Sequence, residues 1–109
     1  MFNEDTICAI ATAAGRSAIA VIRISGKDSL QIAKKIFKPK KGSLENIKSH
    51  HLYYGVVYEN DTIIDDVLLS YFKSPYSYTG EESIEISCHG STYIQQKIIE
   101  LLINNGART

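Results

Sequence analysis

A tyrosine-rich segment and a longer apolar segment flank an Asn-Asp pair, and this feature constrains the fold more than any other. His51 to Glu59 and Thr62 to Phe72 have the composition of β-strands, and Asn60-Asp61 between them is typical of a tight hairpin turn. The sequence therefore predicts a β-hairpin over residues 51–72.

Three further segments are predicted to be strands. Thr6 to Thr12 and Ala18 to Ser25 are joined by a turn over residues 13–17, in which Gly15 can adopt a positive φ. Residues 18–25 are apolar and β-branched, which predicts a central strand buried on both faces. Glu82 to Cys88 alternates between polar and apolar residues, which favours a strand with one buried face.

Two segments have the apolar spacing of helices. One runs from Asp28 to Phe37, after the capping-box-like Ser25-Gly-Lys-Asp28, and ends at residues 38–42. The other runs from Gly90 to Asn105, and Gly106 is the residue expected just past its end. Its apolar stripe comprises Ile94, Ile98, Leu101 and Leu102. The order of strands and helices predicts an α+β domain, a mixed β-sheet with two to three packed helices.

The chain has 109 residues, 44% of them apolar, which suits one ordinary globular domain. Its acidic start lacks the basic residues of a signal peptide, and the uncharged run from Thr6 to Gly15 is too short to span a bilayer. We therefore expect a cytoplasmic protein without a membrane segment. Because a strand normally follows such a helix, the short sequence after Gly106 suggests a piece of a longer protein.

Twelve Lys and Arg residues balance twelve Asp and Glu residues. A domain that binds nucleic acid mainly through phosphates normally carries excess positive charge, so this balance disfavours that class but leaves room for a local basic patch. One cluster near the end of the first predicted helix is either a solvated helix end or an RNA-facing surface. Its members are Lys34, Lys35, Lys38, Lys40 and Lys41.

Several motifs with well-defined chemistry are missing from the sequence. It contains no G-x-x-x-x-G-K-[ST], so no triphosphate is expected to bind here as in a P-loop. It also lacks G-x-G-x-x-G, G-x-S-x-G and C-x-x-C, and the last absence leaves a structural zinc site unsupported. Cys8 and Cys88 lie in strand-like surroundings and are expected to be reduced and buried.

Two charged residues interrupt the predicted strands. Arg23 shares a strand face with Ile19 and Val21, where a guanidinium needs a carboxylate, a phosphate or a ligand as partner. Glu85 lies on the polar face of its strand between Ser83 and Ser87, which leaves space beside the acid. A carboxylate can accept both the amino group and the ring N–H of a pterin or guanine. The alternatives are a structural salt bridge for the arginine and a solvated strand face for the glutamate.

Other polar residues have two interpretations each. Residues 79–82 either shape a pocket rim or form a polar turn. His89 is a base or ligand, or a hydrogen-bonded residue at a strand-to-helix junction. His50 and His51 should point to opposite faces and are poorly placed for one metal ion. The aromatic residues of the hairpin belong to the core, stack on a planar ligand or form a dimer interface; they are Tyr53, Tyr54, Tyr58, Tyr71 and Phe72.

Two blocks of sequence resemble a known family. Residues 5–7, 11–16 and 20–26 are similar to the opening of the MnmE (TrmE) family of tRNA-modification GTPases. Residues 77–85, followed by His89-Gly90, resemble that family's Y-T-G-E-D-x-x-E…H-G-G block. The two blocks occur in order and at the right separation, so the resemblance covers essentially the whole chain.

The resemblance implies an N-terminal domain, over residues 1–109, that binds tetrahydrofolate and mediates homodimerisation. Its fold would be similar to the folate-binding domain of the glycine-cleavage T-protein group, and its ligand 5-formyl- or 5,10-methylene-tetrahydrofolate. The family's full proteins add a helical domain and a GTP-binding domain that uses Mg²⁺ and K⁺. With an FAD-containing partner, MnmG (GidA), they modify the wobble uridine of tRNA at C5, the folate supplying the one-carbon unit.

By motif position, the resemblance implies folate contacts at Arg23 and Glu85, with Gly15 and Arg16 lining the same region. The sequence departs from the family at Ala13-Ala14, where prolines are common, and at Ser91, where a second glycine is common. The family's downstream folate-contacting lysine, its GTP-binding domain and its C-terminal cysteine motif lie outside these residues. This chain alone should therefore have no GTPase activity, and its folate site would be incomplete if that lysine is needed.

Three alternatives remain open beside the folate-binding module. The domain could be a purely structural dimerisation module in which Arg23 and Glu85 bridge to each other or across the interface. It could dock tRNA through the lysine cluster, with steeply salt-dependent binding. An autonomous folate-dependent transferase is the weakest alternative, because no nucleophile and base are arranged for it.

Overall fold

The computed structural model describes residues 5–12, 18–74 and 81–109, and within them six strands and two helices follow one another. The chain begins with β1 (Ile7–Ile10), β2 (Ile19–Ser25), α1 (Ser29–Ile36) and β3 (Phe37–Pro39). It continues with β4 (Leu52–Glu59), β5 (Thr62–Phe72), β6 (Ser83–His89) and α2 (Thr92–Asn104). The predicted turn over residues 13–17 lies outside the described residues, as do residues 75–80 between β5 and β6.

The six strands form one sheet in the order β1-β2-β6-β5-β4-β3. All five pairings between these strands are antiparallel, and a parallel bridge joins Ile7 to Arg108 after α2. Both helices pack on the same side of the sheet. The predicted α+β class, with two helices packed on a β-sheet, is confirmed.

Strand alternation divides the sheet into two faces. The side chains that point towards α1 and α2 form the core, and β2 contributes Ala20, Ile22 and Ile24, each fully buried. We call this side the helix face and the opposite side the open face. Ile19 of β2 is 63% exposed on the open face, and Val21 and Arg23 are half-buried there. The prediction that β2 is buried on both faces is therefore wrong, because the described residues place helices over one face only.

The hairpin prediction is confirmed, since β4 and β5 flank a turn at Asn60-Asp61 in which Asn60 has φ 54°. The second predicted helix is confirmed as α2, with Ser91 as its N-cap and Gly106 at φ 119° just after its end. Its predicted stripe faces the core through Ile98, Leu101 and Leu102.

Two predictions about the first helix are wrong. Helix α1 ends at Ile36, and Phe37–Pro39 forms the edge strand β3 on β4, because the backbone becomes extended at Phe37. No capping box forms between Ser25 and Asp28: Asp28 is the N-cap and its side chain makes no capping hydrogen bond. The backbone N–H of Asp28 instead donates to the hydroxyl of Thr6, a buried residue that directly precedes β1. This bond holds the start of α1 against the first strand.

Candidate functional site

Arg23 and Glu85 lie directly opposite each other on the paired strands β2 and β6, on the open face. The guanidinium donates from Nε and Nη2 to Oε2 of Glu85, at 3.0 and 2.8 Å. Both side chains are half-buried, with 33% and 28% of their surfaces exposed. The salt bridge that was one alternative for Arg23 is therefore present, and the pair also keeps an accessible surface that a ligand could meet.

Small residues flank this ion pair along its cross-strand row and along β6. The cross-strand row that contains it continues to Ala9 on one side and to Ser70 on the other. The neighbouring positions on β6 are Ser83 and Ser87, as the sequence predicts. Ser83 is buried, whereas Ser70 and Ser87 are partly exposed, so a flat ring could approach the carboxylate from the side of Ser70 and Ser87.

The carboxylate retains hydrogen-bonding capacity despite its arginine partner. Both bonds from Arg23 end on Oε2, so Arg23 does not engage Oε1 of Glu85. Each carboxylate oxygen has two acceptor sites, and a two-donor ring edge can therefore still bond to both oxygens. The two hydrogen bonds from the guanidinium fix the orientation of the carboxylate on the sheet.

The other two residues assigned to the folate region, Gly15 and Arg16, lie outside the described residues, as do Thr79 and Gly80 of the predicted rim. The other two residues of that rim, Glu81 and Glu82, are described, and Glu82 is half-buried before β6. Burial, with a hydrogen bond and the negative charge of Glu82, raises the pKa of Tyr71. At least one acid of the predicted turn thus contacts the hairpin rather than solvent alone.

His89 is held at the end of β6 by a residue that the sequence analysis missed. Its ring Nδ1 lies 2.6 Å from Oδ1 of Asp65, and its backbone N–H donates to Oδ2 at 2.8 Å. The Asp65 side chain is 9% exposed whereas that of His89 is 70% exposed. The interpretation of His89 as a hydrogen-bonded junction residue is confirmed. The interruption of an apolar strand by Asp65-Asp66 was the available sequence signal for this partner.

The remaining candidates do not assemble into a metal or thiol site. Within the described ranges, no group of three or more His, Cys, Asp and Glu residues is placed to hold a metal ion. His50 and His51 each bond to Ser49 instead. Cys8 and Cys88 are buried free thiols, and burial raises the pKa of both, that of Cys88 to about 11 with help from the charge of Asp65.

The predicted lysine cluster is exposed along one edge of the sheet. Lys34 and Lys35 lie in the last turn of α1, Lys38 lies on β3, and Lys40 and Lys41 follow it. Lys40 Nζ is 3.8 Å from Asp66 and 5.9 Å from the ring centre of Tyr54. This edge lies at the opposite end of the sheet from β1.

The chain belongs to the family described as the N-terminus of the GTP-binding protein TrmE, whose model matches residues 6–109. This match assigns the chain to the N-terminal region of a family of GTP-binding proteins. Among its relatives, the chain is similar to the tRNA modification GTPase MnmE of Flavobacterium johnsoniae, with 53% identity over 109 residues. That alignment covers 99% of this chain and 23% of the relative.

Two further relatives carry the same name. The tRNA modification GTPase MnmE of Bacteroides thetaiotaomicron is 51% identical over 108 residues, with 97% of this chain and 23% of the relative covered. That of Clostridioides difficile is 49% identical over 109 residues, with 99% and 24% covered. The chain therefore spans about a quarter of the length of the relatives that it matches. In the described residues, no helix is long and apolar enough to cross a membrane.

Proposed function

We propose that this chain is the tetrahydrofolate-binding and homodimerisation domain of a tRNA-modification GTPase. The observation that carries this proposal is the Arg23–Glu85 pair, set on the open face among small residues. Sequence reasoning selected both residues independently as charges that needed an explanation, and the strand register places them side by side.

The donor and acceptor set fits a reduced folate. Glu85 would accept hydrogen bonds from the 2-amino group and adjacent ring N–H of the pterin, a two-point contact that discriminates against rings without that donor pair. Arg23 would hold Glu85 in the orientation for this contact, and its guanidinium would also meet a polar or anionic part of the ligand. The bound 5-formyl- or 5,10-methylene-tetrahydrofolate would supply the one-carbon unit.

The proposed larger reaction needs parts beyond this chain. GTP with Mg²⁺ and K⁺ would bind the GTP-binding domain, because residues 1–109 contain no P-loop sequence. An FAD-containing MnmG (GidA) partner would act with the dimer on C5 of the wobble uridine, in the cytoplasm. The role of this domain is to hold the folate and to bring two copies together.

Calorimetric titration of 5-formyl-tetrahydrofolate into the 109-residue chain tests the folate site. We expect binding by the wild-type chain, and Arg23→Ala and Glu85→Ala should each weaken it by about 2 kcal/mol or more, since each removes one partner of a charged contact. Glu85→Gln separates charge from shape, because it keeps the size of the side chain and removes one acceptor.

Glu59→Gln is the matched control for that experiment. Glu59 forms an ion pair with Lys97 at 2.9 Å, between β4 and α2, away from the open-face pair. This variant should bind folate like the wild-type chain. Equal losses in Glu59→Gln and Glu85→Gln would contradict a specific site at Glu85. Loss of the fold in both Arg23→Ala and Glu85→Ala would identify a structural ion pair instead.

A purely structural dimerisation module is the second candidate, and one observation favours it. The open face exposes several large apolar side chains, which are Ile19, Leu52, Tyr54 and Leu68. Exposed apolar groups on one face are typical of an interface. Sedimentation with and without the folate distinguishes the two functions: assembly that does not respond to folate, together with no heat of binding, supports the structural module.

A further inference from the structure

One corner of the open face combines exposed lysines with exposed aromatic and apolar side chains. A concavity of about 370 Å³ lies between the segment after β3 and the start of β4. Tyr54 is 52% exposed and Leu52 is 67% exposed beside it. We call this corner the lysine–tyrosine corner; its lining residues are Pro39, Lys40, Lys41, Leu52, Tyr53 and Tyr54.

The zero net charge of the chain conceals a strong local imbalance here. Residues 34–48 contain six lysines, which are half of all the basic residues of the chain. They contain one acid, Glu45. The nearest acid on another strand is Asp66, 3.8 Å from Lys40 Nζ, and both of those side chains are about half exposed. An exposed contact of this length holds Lys40 weakly, so its charge remains available to an anion.

The two tyrosines of the corner have different roles. Tyr53 faces the core, and its hydroxyl accepts a hydrogen bond from the backbone N–H of Lys48 at 2.7 Å. Tyr54 points the other way and presents its ring on the open face, with the ammonium of Lys40 5.9 Å from the ring centre. An exposed ring beside flexible cations is the arrangement with which proteins stack an unpaired base and contact its neighbouring phosphates.

We propose that the lysine–tyrosine corner binds a single-stranded stretch of RNA, with Tyr54 stacking on a base and Lys40 and Lys41 contacting phosphates. This site is additional to the proposed folate site. It rests on the proposed function, because tRNA modification is the reason to choose RNA among the polyanions that lysines could bind. Leu52, Ser70 and Glu85 share one cross-strand row, so the corner lies two strand spacings, about 10 Å, from Glu85. RNA on the corner would therefore lie beside the proposed folate site, on the same face.

Fluorescence anisotropy with a labelled oligouridine of about 12 nucleotides, within the usual site size of single-strand binders, tests this proposal. We expect salt-dependent binding by the 109-residue chain, and weaker binding to an RNA duplex of equal length. Tyr54→Ala should weaken oligouridine binding about tenfold, whereas Tyr54→Phe retains it because the ring is kept. The double variant Lys40→Ala/Lys41→Ala should reduce the slope of log K against log salt by about 1.4.

Two variants match these changes elsewhere on the surface. Tyr93→Ala removes a tyrosine that is 67% exposed on α2, and Lys27→Ala removes one exposed positive charge at the turn between β2 and α1. Both should bind oligouridine nearly as the wild-type chain does, with Lys27→Ala compared against Lys41→Ala alone. Equal effects at the matched positions, equal affinity for the duplex, or no RNA binding would each overturn the proposal.

The outcome is separable from that of the folate experiment. RNA binding that depends on Tyr54, in a chain that gives no heat with 5-formyl-tetrahydrofolate, supports the corner and shows that residues 1–109 do not form a folate site by themselves. Folate binding without any binding of oligouridine supports the folate site and overturns the corner.

Discussion

The two faces of the sheet are made by the same strands but obey different physical constraints. On the helix face, β2 and β6 present Ile22, Ile24, Ile84 and Ile86, all with no exposed surface. On the open face, the same two strands present Arg23, Glu85 and Ser87, which are half-buried. Each strand alternates between these sets residue by residue.

This difference separates stability from binding. Burial of apolar area stabilises the fold by about 25 cal/mol per Å², and that area is concentrated on the helix face. The open face carries charge, hydroxyl groups and exposed rings, which add little to stability. Substitutions on one face should therefore change unfolding, and substitutions on the other face should change ligand or partner affinity.

The largest expected effect on stability is at Ile22, in the middle of β2. Ile22→Ala should lower the free energy of unfolding by about 2–5 kcal/mol, because it leaves a cavity under the helices. Its neighbour Val21 points to the open face, and Val21→Ala should change the free energy by less than about 1 kcal/mol. Urea unfolding measures both, and similar losses would contradict the separation of the two faces.

A smaller effect should appear at alkaline pH through Cys88, on the helix face. Its thiol is expected to ionise near pH 9.0 when unfolded, and near 11 when folded because burial raises the pKa. Between these values the unfolded state binds fewer protons, so stability falls as the pH rises, by at most about 1.4 kcal/mol per pH unit. Thermal unfolding from pH 8 to about 11 should show that the stability of Cys88→Ala falls less steeply with pH than that of the wild-type chain. An equally steep fall in both chains would contradict the burial of this thiol.

The N-cap of α2 tests how strongly the start of this helix contributes to the stability of the fold. The hydroxyl of Ser91 accepts a hydrogen bond from the backbone N–H of Ile94 at 3.1 Å. Ser91→Ala should lower the free energy of unfolding by about 1 kcal/mol, whereas Ser91→Asp should keep most of it because the carboxylate also caps. Chemical denaturation compares the three chains, and equal stability of all of them would show that the cap is unimportant here.

The smallest effect on stability is expected from the Arg23–Glu85 pair itself. A double-mutant cycle with Arg23→Ala and Glu85→Ala should give a coupling free energy of about 0.2–1 kcal/mol, as for other cross-strand pairs. A coupling of several kcal/mol would mean that the pair stabilises the fold about as strongly as the buried residues of the helix face do. It would then favour the structural module over a folate contact.

Local patterns in the sequence predicted most of the fold. The bounds of β5 and the turn at Asn60-Asp61 agree with the structure because the turn residues and the alternation coincide there. Strand β3 was missed because three residues that include Pro39 carry no periodicity of their own. Residues 18–25 were assigned two buried faces because an apolar run does not reveal whether anything packs on its second side.

The strand patterns selected Arg23 and Glu85 one at a time, and a bridge between them was only one of several alternatives. Arg23 and Glu85 are 62 positions apart, and their contact depends on the pairing of β2 with β6 and on its register. No local pattern contains that information. The same reason explains why Asp65 was missed as the partner of His89, since β5 and β6 had no predicted register.

The bridge between Ile7 and Arg108 has a consequence for engineering. Cys8 N–H donates to the carbonyl of Arg108, and the N–H of Arg108 donates to the carbonyl of Thr6. The two ends of the described chain therefore lie side by side, and a short linker could join them into a circle. A circular permutant reopened at the exposed turn between Asn60 and Asp61 would keep every buried contact of the helix face while moving both chain ends to the far end of the hairpin.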